Sequence, residues 1–134
     1  MHDVVRRKLE SLRRCIGRIE QKKPKTVDIL KTDYDIQDII SLNLERAIQL
    51  SVDIGSYLLA ESEQTPPSTM GEIFSELAVA GFITEDLADK LRKAVGFRNI
   101  SVHEYQNVDW DIVFSIINRN LNDFKDFMRA VVLF

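Results

Sequence analysis

Residues 34–61 carry apolar side chains at Ile36, Ile39, Ile40, Leu44, Ala47, Ile48, Ile54, Leu58 and Leu59, with no proline between them. The spacing is helical, and the apolar arc is wide rather than a narrow stripe. At about 1.5 Å per residue, a helix of that length is roughly 40 Å long. A helix so long and so apolar must be covered on most sides, so it is predicted to be the central one. Only five Gly and three Pro occur in 134 residues, few breakers for the many turns of an all-β fold. The expected fold is all-α: a compact up-and-down bundle of about five helices, one domain over residues 1–134.

Four further helical stretches complete the bundle. Residues 3–21 place Val5, Leu9, Leu12, Ile16 and Ile19 on one stripe, and Pro24 ends the run. Thr32 or Asp33 is the N-cap of the central helix, and Pro66-Pro67 closes the loop after it. Thr69-x-x-Glu72 reads as a capping box for a short helix through Ile73, Phe74, Leu77 and Ala78 that stops at Gly81. Thr84 opens a fourth helix, with Glu85 and Asp86 in its first turn and Leu87, Leu91, Ala94 and Val95 as its buried edge. The fifth starts near Asp109 and runs almost to the end, with Val113, Ile117, Leu121, Phe124, Met128 and Val131 as its stripe.

Composition removes several function classes. The single cysteine, Cys15, allows no disulfide within a monomer and no two-Cys metal motif, and it is expected to be a small buried thiol. Only His2 and His103 are available as imidazoles, so a histidine-rich zinc site is ruled out and no metal or other cofactor is expected. No run of about 18 apolar residues is present, and the N-terminus lacks the apolar stretch of a secretory signal. The expected compartment is the cytoplasm, with no membrane contact. Charge is uneven: residues 1–25 carry nine Lys/Arg against three Asp/Glu, or +6, while the other 109 carry nine against eighteen, or −9, summing to −3. A basic flank on an acidic body suits capture of a polyanion or an acidic partner, although a solvated helix face has the same composition.

The fourth helical stretch runs on into Gly96-Phe97-Arg98-Asn99-Ile100-Ser101-Val102-His103-Glu104-Tyr105. Arg98 and Val102 extend the edge begun by Leu91, Ala94 and Val95, which directs Arg98 towards a packed surface. Gly96 costs about 1 kcal/mol relative to Ala inside a helix, which suggests a close approach there. Cleavage of RNA by attack of a 2′-hydroxyl on the adjacent phosphate needs a proton shuttle near neutral pH and a fixed cation. Histidine meets the first need, since its ordinary pKa is about 6.5. Arginine meets the second with a planar fork that stays charged. His103 and Arg98 are therefore the candidate catalytic pair, with Asn99 as a supporting polar residue. On an ideal helix the two sit about 140° apart, so either the helix distorts after Ser101 or two protomers combine their motifs around one groove. The second is preferred, because a two-fold axis places two Arg and two His in one cleft.

The segment from Gly96 to Tyr105 resembles the signature of the HepT-like branch of the HEPN superfamily, in which Arg-x4-6-His is followed by x-Tyr. Arg13-Arg14-Cys15-Ile16, Gln37-Asp38, the stretch from Leu42 to Ala47, and the run from Phe74 to Leu91 also look family-like, so the similarity covers nearly the whole chain. The resemblance implies a homodimeric helical bundle that acts as a metal-independent endoribonuclease. It further implies the toxin of a prokaryotic toxin–antitoxin pair, partnered by a minimal nucleotidyltransferase, the MNT antitoxin. Carried over residue by residue, Arg98 and His103 are catalytic, Asn99 supports them, and Tyr105 is the acceptor of AMP in neutralisation. A basic rim from Lys90, Arg92, Lys93 and Arg98 is expected to offset the acidic body. The competing expectation is a non-catalytic helical subunit that only docks onto a nucleotidyltransferase.

Overall fold

The computed structural model describes residues 2–62, 67, 69–103 and 108–133, and of 98–103 the backbone course alone. Among these, α3 (Tyr34–Glu61) is the axis of the bundle: it packs against α1 (Asp3–Lys22), α2 (Val27–Thr32), α4 (Met70–Val79), α5 (Glu85–His103) and α7 (Leu121–Val132). The central helix is thus where its apolar arc placed it. Its two buried hydroxyls are satisfied within the helix, Ser41 donating to the Gln37 carbonyl at 2.6 Å and Ser51 to that of Ala47 at 2.8 Å.

The ends of the helices follow their capping chemistry. Asp33, rather than Thr32, caps α3, its Oδ1 accepting from the Ile36 amide at 3.1 Å. Thr69 Oγ1 accepts from the Glu72 amide and Thr84 Oγ1 from the Leu87 amide. Gly81 sits at φ +87, and beyond it the Phe82 amide reaches back to the Leu77 carbonyl at 2.9 Å. This left-handed turn after α4 is one that glycine adopts without a Cβ clash. At the start of α1, the His2 ring nitrogen Nδ1 accepts from the Val4 amide at 3.2 Å, a cap the sequence reading did not identify.

The bundle departs from the five-helix expectation in two places. Residues 27–32 form the extra short helix α2, capped by Thr26, with Leu30 fully buried beneath the start of α3. Gln37 Nε2 donates to the Leu30 carbonyl at 2.9 Å and ties the two helices together. The last stretch is divided at Asn120 into α6 (Trp110–Arg119) and α7. There the Asn120 amide group donates to Asp123 Oδ2 at 3.0 Å, across the first turn of α7. Both halves keep the expected stripe, because Val113, Ile117, Leu121, Phe124, Met128 and Val131 are all buried. Phe127 joins them and meets Phe74 of α4 edge-on, with ring centroids 6.0 Å apart. Pro66 lies outside the described residues.

Candidate active site

The candidate residues Arg98, Asn99 and His103 lie in the C-terminal half of α5. Thr84 starts this helix, and Leu87, Ala88, Leu91, Val95 and Phe97 bury one edge of it against α4, α3 and α7. The backbone stays helical without a break as far as His103. Between Ser101 and His103 the described backbone shows no distortion. On a continuous helix, positions five residues apart lie about 140° apart around the axis. Arg98, Asn99 and His103 thus share the last turns of one helix; their side chains, and Tyr105 altogether, lie outside the described residues.

A groove flanks this segment. A cavity of about 640 Å³ is walled by Lys93, Gly96 and Phe97 just before the motif and by Val108 and Asp109 just after it. Its far wall comes from Ile112 and Ile116 of α6 and from Phe124 of α7. Sequence reasoning missed this wall, because it assigned the last stretch only a buried stripe. One signal was available: Ile112 and Ile116 each stand one position before a stripe residue, Val113 and Ile117, and so fall off the stripe. Ile112 is 52% exposed beside the groove.

The expected basic rim is smaller than the composition indicated. Lys90 pairs with Asp86 at 3.1 Å, and its pKa is raised by that hydrogen bond and by the Asp86 charge. Arg92 pairs with Asp89 and donates through Nη1 to Ser75 Oγ at 2.7 Å. Lys93 remains an exposed cation on the groove wall. Among the described residues, no heavy atom lies within 4 Å of a Cβ added to Gly96, so the close approach expected at that glycine is not found among them.

Cys15 is buried, as its place beside the α1 stripe suggested, and burial pushes its thiol pKa up, with Arg46 and Arg14 pulling more weakly the other way. Among the described residues, no group of three or more His, Cys, Asp or Glu is placed to hold a metal ion. Among them, also, no helix is long and apolar enough to cross a membrane.

Comparison with known proteins agrees over the full length. A family described as Ribonuclease HepT-like matches residues 12–131. The mRNA nuclease HepT of Shewanella oneidensis is 34% identical over 131 residues, 98% of each chain. The tRNA nuclease HepT of Aphanizomenon flos-aquae is 25% identical over 128 residues, covering 96% of this chain and 87% of its own. Among solved structures, the tri-AMPylated HEPN toxin of Shewanella oneidensis in complex with MNT antitoxin superposes with a TM-score of 0.93 at 34% identity, with 100% of both chains covered.

Proposed function

Because this chain belongs to the HepT-like ribonuclease family, we propose that it is the toxin of a toxin–antitoxin pair, an endoribonuclease restrained by an MNT-type nucleotidyltransferase. The observation that carries this reading is the uninterrupted Arg98-Asn99-x3-His103-x-Tyr105 signature of the sequence, of which Arg98 to His103 lie on the end of α5, beside a groove that flanking residues wall.

The chemistry needs no metal. His103 takes the proton from a ribose 2′-hydroxyl, whose oxygen attacks the adjacent phosphorus. The bond to the 5′-oxygen breaks, and that oxygen leaves with a proton returned by an imidazolium. The product is a 2′,3′-cyclic phosphate and a free 5′-hydroxyl. Arg98 grips the phosphoryl oxygens as their negative charge grows, and Asn99 adds a hydrogen bond to the same group or orients His103. One helix holds Arg98 and His103 on different sides, so the working cleft forms between two protomers. There His103 of one protomer serves as base and that of its partner as acid. The partly exposed Ile112 and the apolar groove beside the motif suit burial in such an assembly.

Neutralisation follows by transfer of AMP from ATP to Tyr105: the phenolic oxygen bonds to the α-phosphorus, and pyrophosphate leaves. The adduct fills the cleft and places a negative charge two residues from His103, where it repels a phosphodiester. The whole of residues 1–134 acts as one domain, in the cytoplasm.

The test is incubation of the purified protein with defined RNAs in EDTA, wild type against His103→Ala. Cleavage to cyclic-phosphate ends should fall at least about 100-fold in the variant. Undiminished cleavage by His103→Ala, or a requirement for divalent metal, overturns the mechanism. Antitoxin binding without any RNA cleavage by the wild type leaves only a docking subunit.

A further inference from the structure

The positive charge of the N-terminal segment is not spread evenly over α1. A second cavity, of about 720 Å³, lies between α1 and α3, away from the motif groove, and three guanidinium groups line it: Arg14 and Arg18 from α1 and Arg46 from α3. Arg14 and Arg18 are one helical turn apart, so they stand about 6 Å from each other along the axis. All three are exposed. One acidic side chain, Asp38, shares the lining, which leaves a local balance of two positive charges. The floor is apolar, with Ile39, Leu50 and the 47% exposed Leu42. The field is felt beneath it: Arg46 and Arg14 both lower the pKa of the Cys15 thiol against the effect of burial.

We propose that the α1–α3 groove is an RNA-backbone subsite, in which Arg14, Arg18 and Arg46 hold phosphates of the substrate strand at a distance from the bond being cut. This rests on the ribonuclease reading, since it assigns that enzyme a second contact with its substrate. Three features favour a nucleic-acid strand over an acidic protein surface. The cations are all arginine, whose planar forks match phosphate oxygens. They line a concavity rather than a flat patch of the kind most protein interfaces present. An apolar floor beneath a cationic rim suits a single strand, whose bases pack inward while its backbone follows the charge. The acidic body explains why such a subsite is useful. With a balance of −9 outside residues 1–25, the rest of the chain offers RNA little net electrostatic attraction.

The test separates binding from cutting. A labelled twelve-nucleotide RNA, fully 2′-O-methylated so that it lacks the attacking hydroxyl, is titrated with the wild-type protein and with a triple variant, Arg14→Gln, Arg18→Gln and Arg46→Gln. At about 0.1 M salt the triple variant should bind at least ten-fold more weakly. Its plot of log affinity against log salt should be shallower by about 2, from three lost phosphate contacts at about 0.7 each. Cleavage of a dinucleotide, too short to reach the groove, should be unchanged, as should the sedimentation coefficient. Equal affinity and salt slope in the two proteins overturn the proposal. So does an altered sedimentation coefficient, which would make the groove a contact between copies, or loss of antitoxin binding with RNA binding intact, which would make it a docking surface. If the triple variant does not fold, Arg18→Gln alone should reduce the slope by about 0.7. Wild-type protein that binds RNA through the groove but cuts nothing would sink the nuclease reading and leave the subsite standing. Normal cleavage with binding indifferent to all three substitutions would do the reverse.

Discussion

Gly55 of α3 and Ile73 of α4 approach so closely that a Cβ added to the glycine would stand 2.7 Å from Ile73 Cγ2, with Leu77 Cδ1 at 2.9 Å. Ile73 and Leu77 are both buried, at 7% and 0% exposure, so neither has free space to swing into. The close seat of α4 on the central helix depends on the missing methyl. Because α4 in turn packs along α5, this contact also sets the position of the helix that carries the motif.

Gly55→Ala therefore brings two opposed effects. Alanine is favoured over glycine in a helix interior by about 1 kcal/mol. Overpacking a filled core costs about 1–3 kcal/mol. With two buried side chains in the way, the clash should win, and urea denaturation should show a net loss of up to about 2 kcal/mol. A variant more stable than the wild type would mean that α4 is not seated this closely.

Gly96 predicts the opposite sign. Among the described residues nothing stands within 4 Å of an added Cβ there, so they leave the helix-propensity gain unopposed. Gly96→Ala should be more stable by about 1 kcal/mol, a rise of about 3–5 °C in the melting midpoint. A lower midpoint would show that the face of α5 bearing Gly96 is already covered, in solution, by a second molecule.

These two glycines show where sequence reasoning reached its limit. Both lie in the interior of a helix, and the pattern alone pointed to a close approach at Gly96. The approach lies at Gly55 instead, because which helix faces a given glycine is a matter of tertiary packing. The central helix, the narrowing of its cap to Thr32 or Asp33, the Thr69 cap, the start at Thr84 and the stop at Gly81 were all legible, since each is encoded within a few neighbouring residues. Helix α2 was not, because six residues show too little periodicity to read. The break at Asn120 carries no Gly or Pro and is marked only by a local hydrogen bond to Asp123. At the site, the helix and the order of Arg98, Asn99 and His103 along it were legible, while the α6–α7 wall of the groove was not. The excess charge of residues 1–25 could be counted, but its convergence with Arg46 required the pairing of α1 with α3.

Cys15 should behave as an inert thiol in the folded protein. It is 7% exposed, and burial raises its pKa above the ordinary value. In the unfolded chain the same thiol ionises near its ordinary value of about 8.5. Between that value and the raised one, the folded state holds a proton that the unfolded state has lost, so stability falls as pH rises through this window and is unaffected below it. Wild-type protein should lose urea resistance above about pH 8.5 more steeply than Cys15→Ala. Folded protein at pH 8 should react with a disulfide-exchange reagent only after denaturant is added. Rapid reaction without denaturant would show that the α1–α3 groove opens as far as Cys15.

Tyr105 offers the sharpest separation of catalysis from control. If AMP attachment at its phenolic oxygen is what silences the enzyme, the hydroxyl is needed for neutralisation and not for cutting. Removing it leaves an aromatic ring of nearly the same size, so the fold should be unchanged. Tyr105→Phe should therefore cleave RNA within about threefold of the wild type, well short of the loss of a general acid–base group. Incubated with an MNT-type antitoxin and ATP, the wild type should gain AMP, read by intact mass, and lose activity. The Phe variant should gain none at this position and stay active, and its expression should arrest growth even when the antitoxin is coexpressed. Silencing of the Phe variant as complete as that of the wild type would show that the antitoxin acts by occupying the cleft, with adenylylation dispensable.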